Sequence, residues 1–105
     1  MAAVKRVMVR YKVKPGREKL NEALVRAVYA ELEKAQPAGF RYATFKQADG
    51  LSFVHFASVK TEDGRSPLPE LGAFAEFQAA IRERCDEVPI VTELEEIGSF
   101  RMFGR

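Results

Sequence analysis

The sequence predicts an α+β fold in which four antiparallel strands carry two helices on one sheet face. Three observations predict it. Apolar residues alternate with period two in some stretches, recur at helical spacing in others, and the stretches follow one another as β-α-β-β-α-β. That order is the ferredoxin-like arrangement, and right-handed crossovers then give the spatial strand order 4-1-3-2.

The first strand is VKRVMVRYKV, residues 4–13. Val7, Val9, Tyr11 and Val13 share one face, and Arg6, Met8, Arg10 and Lys12 the other. Pro15-Gly16 ends it, because proline has no ladder donor. Residues 17–36 then read as a helix with the stripe Leu20, Leu24, Ala27, Val28 and Leu32, stopped by Pro37 and Gly39.

FRYATFKQ and LSFVHFASVK flank Asp49-Gly50, a dipeptide suited to a type I′ hairpin turn with both central residues at positive φ. Counting back from Ala48 opposite Leu51 sets Thr44 against His55 and Tyr42 against Ala57. Phe40, Tyr42, Thr44, Phe53, His55, Ala57 and Val59 then share one face, and Arg41, Ala43, Phe45, Val54, Phe56 and Ser58 the other. Both faces are mainly apolar, so both should be covered by protein.

After the polar loop TEDGRSP, Pro69 is expected to open a second helix running to about Arg84, with the stripe Phe74, Phe77, Gln78, Ile81 and Cys85. The last strand is expected at roughly 90–100, after Pro89, with a bulge near Glu95 to absorb broken alternation. Glu93 and Glu95 are expected on the face of Arg6 and Arg10, as cross-strand ion pairs.

At 105 residues the chain is expected to form a single domain, residues 1–105. A hydrophobic fraction of 47% and a charged fraction of 30% suit a folded protein rather than a disordered one. The 17 basic and 15 acidic residues are scattered, giving +2 without the concentrated basic face that nucleic acids require. The opening MAAVKRVMVRYKV has no unbroken apolar run, so neither a signal peptide nor a membrane span is expected. The loop EDGRSP lacks phosphate-loop spacing. One cysteine and one histidine permit neither an internal disulfide nor a cysteine or histidine metal cluster, so no metal is expected and the cytoplasm is the expected compartment.

Three stretches carry a resemblance: VRYKVKPG leading into a helix, the hairpin GFRYATFKQADGLSFVHFASV, and a helix built around LGAFAEF. Together they resemble the antibiotic-biosynthesis-monooxygenase-like domains of the dimeric α+β barrel superfamily. The resemblance implies two chains packed sheet to sheet, each with a pocket between its own sheet and helices. It also implies cofactor-independent oxygenation of aromatic polyketides or quinols as a candidate activity. The chain departs from the pattern in having no tryptophan, which family oxygenases often place at about Val59. Haem-degrading relatives use an asparagine on the first strand and a histidine on the second helix, and neither is present here. No cofactor is therefore expected.

His55 has two readings. As a core residue it is a buried neutral imidazole bonded to Thr44 or a tyrosine, the commoner fate of a histidine on an apolar strand. As a pocket residue it is the candidate catalytic base. Tyr11, Tyr29, Tyr42, Thr44, Phe53, Phe74 and Phe77 are the candidate substrate-binding residues, phenols orienting a ring inside an apolar wall. Cys85 at a helix end is not expected to be a reactive thiolate. The other sheet face, with Arg10, Phe45, Val54 and Phe56, is the expected homodimer surface. The functional expectation is a homodimer whose pockets take a small aromatic ligand, with a cofactor-independent monooxygenase as its enzymatic form. A non-catalytic ligand-binding or structural barrel is the alternative.

Overall fold

The computed structural model describes residues 4–102, so the first and last three residues of the expected domain lie outside it. The order is β1 (Lys5–Val13), α1 (Glu18–Ala35), β2 (Phe40–Lys46), β3 (Ser52–Val59), a 3₁₀ turn (Leu68–Glu70), α2 (Gly72–Gln78), α3 (Ile81–Arg84) and β4 (Cys85–Leu94). The strands form one antiparallel sheet in the order β2-β3-β1-β4, the ferredoxin-like order expected from the sequence.

The hairpin register is the expected one, with Thr44 opposite His55 and Tyr42 opposite Ala57. Its turn is different. Gly50 N–H donates to the Gln47 carbonyl at 3.0 Å, so Ala48 and Asp49 are the central residues, and of the expected Asp49-Gly50 pair only Gly50 has positive φ. Asp49 holds the turn through its carboxylate, which accepts from the Ser52 hydroxyl at 2.6 Å and from the Ser52 and Leu51 N–H groups at 2.8 and 2.9 Å. These bonds, the hydroxyl first, lower its carboxyl to about 2.

β1 lies between β3 and β4, with Val9 opposite both His55 and Val91. Tyr11 and Val13 of β1 and Phe53 of β3, on the helix-facing side, pack with Val25 and Val28 of α1, Phe77 of α2, and Ile81 and Cys85. Fully burying an apolar side chain of this size contributes about 1.5–3 kcal/mol, so this layer fixes the helices on the sheet. The stripe of α1 is rotated from the expected one: Asn21, Val25 and Val28 are buried, whereas Leu20 is 49% exposed. Gln36 closes α1 in the left-handed region, its N–H donating to the Leu32 carbonyl at 2.8 Å.

The expected second helix is broken. Leu71 is extended between the 3₁₀ turn and α2, and Ala79 (extended) and Ala80 (φ 59°, ψ 19°) separate α2 from α3. Arg84 reaches back over the break, donating to the Phe77 carbonyl at 2.8 Å and the Ala79 carbonyl at 3.4 Å. Cys85 therefore begins a strand rather than ending a long helix. β4 starts at Cys85, not after Pro89, and its register shifts lie between the partners of Arg10, Lys12 and Val13, not near Glu95. Pro89 is tolerated because β4 is an edge strand.

The ion pairs on the outer sheet face also differ from expectation. Arg10 pairs with Glu87 at 2.8 Å and Arg6 with Glu96 at 3.1 Å. Glu93 stands opposite Val7, on the helix-facing side, since cross-strand partners share a face. Among the described residues, no helix is long and apolar enough to cross a membrane.

Candidate functional site

Between the sheet and α2–α3 lies a cavity of ≈ 240 Å³. Its wall is largely apolar, with Val7, Val9, Phe74, Phe77 and Ile81, and its polar cluster is Tyr11, Tyr42 and His55. β1 supplies Tyr11, β2 supplies Tyr42 and β3 supplies His55, each on the helix-facing side by strand alternation. The rings stack in series, with His55 5.3 Å from Tyr11 and 5.6 Å from Tyr42 between centroids.

His55 is 3% exposed and bonded through both ring nitrogens. Nε2 lies 2.8 Å from the Tyr11 hydroxyl. Nδ1 lies 2.8 Å from the Tyr42 hydroxyl and 2.9 Å from Thr44 Oγ1. Burial lowers the imidazole to about 4, so it is neutral near pH 7. Burial likewise raises the Tyr11, Tyr42 and Tyr29 phenols above their ordinary value. In Tyr11 the bond from Asn21 opposes that rise only in part.

The remaining expected residues take different places. Phe74 and Phe77 line the cavity, 6.1 Å apart between centroids. Phe53 lies behind it, 2% exposed and stacked on Tyr11 at 5.6 Å. Thr44 bonds the imidazole directly, beside Tyr42, and Tyr29 sits one bond further out, joined to Thr44 at 2.7 Å and stacked on Tyr42 at 5.4 Å. Cys85 is buried, and burial raises its thiol, so the described environment keeps it protonated.

Sequence reasoning missed Asn21 and Arg84. Asn21 is fully buried on α1 and donates through Nδ2 to the Tyr11 oxygen at 2.8 Å. Arg84, 5% exposed, donates through Nε to Asn21 Oδ1 at 3.1 Å. The signal for Asn21 was its spacing of four and seven residues from Val25 and Val28, which marks it as core-facing. Arg84 carried no comparable signal, because its burial depends on the helix break.

The fold is a ferredoxin-like α+β domain with the architecture of the antibiotic-biosynthesis-monooxygenase-like proteins, the resemblance read in the sequence. No protein-family model matches the chain, and no curated protein sequence matches it. Among solved structures, Rv0793 of Mycobacterium tuberculosis superposes with a TM-score of 0.75 at 19% identity, over 92% of this chain and 98% of that one. An antibiotic-biosynthesis-monooxygenase-like protein of Nitrosomonas europaea gives 0.74 at 14% identity, over 92% and 93%. SnoaB of Streptomyces nogalater, a cofactor-independent oxygenase, gives 0.68 at 18% identity, over 93% and 97%. At these identities the likeness establishes the fold.

Proposed function

We propose that the chain acts as a single-domain cytoplasmic homodimer whose cavities bind a small, largely apolar aromatic compound and oxygenate it without a cofactor. The cavity carries this reading. It is apolar, has room for a ring, and gathers two phenols and the chain's sole imidazole at one wall, the pattern of a small-molecule site. The likeness to a cofactor-independent oxygenase supports the choice of reaction. The lone, buried cysteine supports the cytoplasmic placement.

In such a reaction the deprotonated substrate supplies the electrons that reduce dioxygen. A ring methylene becomes a carbonyl, one oxygen atom entering the product and the other leaving as water. His55 is the proton acceptor. Its Nε2 is reached through Tyr11, whose own proton moves to the ring as the phenol oxygen takes one from the substrate. An imidazole held near 4 takes that proton only while a substrate anion lies beside it, because the anion favours the charged ring. Tyr42 and Tyr11 orient the ring, and Phe74 and Phe77 pack against it. Thr44 shares Nδ1 of His55 with Tyr42, Tyr29 braces Thr44 from behind, and Phe53 holds Tyr11 in place.

A non-catalytic ligand-binding barrel is the second reading, favoured by the occupation of both His55 nitrogens in the resting chain. Oxygen uptake over a panel of quinols and anthrones decides between them. Uptake by the wild type that is lost in His55→Ala supports the oxygenase. Thermal stabilisation by the same compounds without uptake selects the binding protein. Equal uptake in both proteins removes His55 from the chemistry.

A further inference from the structure

Arg84, Asn21, Tyr11, His55 and Tyr42 form one hydrogen-bonded chain, and its direction is set at the arginine end. A guanidinium has donors only, so Nε–H of Arg84 donates to Asn21 Oδ1. The carboxamide nitrogen then faces Tyr11 and donates to its oxygen. The Tyr11 hydroxyl hydrogen has one acceptor left among the described residues, Nε2 of His55 at 2.8 Å. A neutral imidazole that accepts at Nε2 carries its hydrogen on Nδ1. That hydrogen is shared between the oxygens of Tyr42 and Thr44. The opposite tautomer leaves the hydroxyl hydrogen of a fully buried tyrosine without an acceptor, which folded chains avoid.

Tyr42 therefore accepts from His55 and keeps its own hydroxyl hydrogen for another acceptor. No second partner of that hydroxyl is present among the described residues, and Tyr42 lines the cavity. Every bond donates away from the buried cation and toward the cavity. We propose that the cavity selects aromatic compounds that present a hydrogen-bond acceptor, a carbonyl or a deprotonated phenol oxygen, to the Tyr42 hydroxyl. Asn21 and Arg84 are positioning residues that set this polarity from behind. The ligand part rests on the cavity-binding reading above, whereas the tautomer part stands without a ligand.

The one histidine makes the tautomer directly readable. In long-range ¹H–¹⁵N spectra of the wild type, Nδ1 is expected to be the protonated nitrogen and Nε2 the bare one. Asn21→Asp replaces the carboxamide donor by an acceptor, so the Tyr11 hydroxyl turns toward α1 and the hydrogen of His55 moves to Nε2. Tyr42 then donates to Nδ1 and offers the cavity only its oxygen.

The binding probes are 1-tetralone and tetralin, which share a carbon skeleton and differ by the carbonyl. The wild type is expected to bind 1-tetralone about fivefold more tightly, the worth of one net hydrogen bond. That preference disappears in Asn21→Asp and in Tyr42→Phe, and the phenylalanine variant retains the wild-type tautomer. Tyr42→Phe also keeps the test decisive if Asn21→Asp fails to fold. A hydrogen on Nε2 in the wild type overturns the inference, as does a preference for 1-tetralone that survives Tyr42→Phe. Equal binding of both compounds overturns the ligand part and leaves the cavity reading intact. Binding of neither compound overturns the ligand part together with that reading, while the tautomer still reports on Asn21.

Discussion

Arg84 Nε lies 3.1 Å from Asn21 Oδ1, joining the end of α3 to the first turn of α1 across 63 residues of sequence. Both residues are buried, and no ion pair of Arg84 with a carboxylate occurs among the described residues. Its charge rests instead on the Asn21 oxygen, two carbonyls of the helix break and the face of Phe77, 5.4 Å from the ring centroid. Removing the asparagine strands a buried cation and the Tyr11 hydroxyl together. Asn21→Leu is therefore expected to destabilise the fold by about 3 kcal/mol in urea unfolding, the usual cost of leaving a buried polar partner unmade. A loss under about 1 kcal/mol shows that water reaches Arg84 and replaces the bond.

Stability is expected to rise with pH between pH 5 and pH 7, and His55 is the reason. Its folded value of about 4 lies below the ordinary 6.5, so the unfolded chain binds more protons through this window. The stabilisation is complete above the unfolded value and is lost as pH falls toward the folded one. Linkage gives a loss of about 2 kcal/mol from pH 7 to pH 5. Asp49 and Asp63, whose hydrogen bonds lower their carboxyls, lose their contributions at lower pH, below the ordinary carboxylate value. Urea unfolding at both pH values of wild type and His55→Phe isolates the effect, since the variant is expected to lose the slope.

Ala80 has φ 59° and ψ 19°, a conformation that costs a residue with a Cβ about 1–2 kcal/mol. Ala80→Gly removes that cost but gives back part of it in unfolded-state entropy. A net stabilisation of about 0.5–1 kcal/mol is expected in thermal or urea unfolding. Destabilisation instead excludes a left-handed residue at this break in solution.

That break also shows what the sequence conceals. Alanine is the best helix former, so a run through Ala79-Ala80 reads as helix by local preference. The chain turns there because Arg84 takes the carbonyls of Phe77 and Ala79, a tertiary effect invisible to local spacing. The hairpin register was legible because loop length fixes it, and it survived an incorrect turn type since the number of intervening residues is unchanged. Tyr11, Tyr42 and His55 were placed on one face by alternation alone. Asn21 was not, because a polar residue on an apolar stripe pulls the inferred helix face away from its true direction.

Glu31 of α1 accepts from the Ala73 N–H at the start of α2, at 2.6 Å. A seven-residue helix has few internal bonds to hold it, so this cap from another element positions Phe74 and Phe77 over the cavity. Glu31→Ala is expected to cost about 1 kcal/mol, as capping losses do. Amide exchange should quicken in α2 before it does in the sheet. Uniform quickening across both shows that the cap acts on the whole fold instead.

The outer sheet face carries the prediction for assembly. Phe45 and Phe56 are 43% and 37% exposed and meet edge to face at 6.1 Å, with Val54 on the same face. Ile90, 64% exposed, lies on the same face on the far side of Arg10 of β1, which stands between it and Val54. Exposed apolar side chains gathered on one sheet face are unfavourable in water and suit a self-complementary contact. Phe56→Glu places a charge within it while leaving the helix-facing core untouched. The wild type is expected to sediment as a dimer and the variant as a monomer, with unchanged circular dichroism. Arg10→Ala should weaken the dimer less, because Glu87 already shares its charge within the chain. A wild type that sediments as a monomer at high micromolar concentration overturns the homodimer. An undiminished dimer in Phe56→Glu moves the contact to another surface.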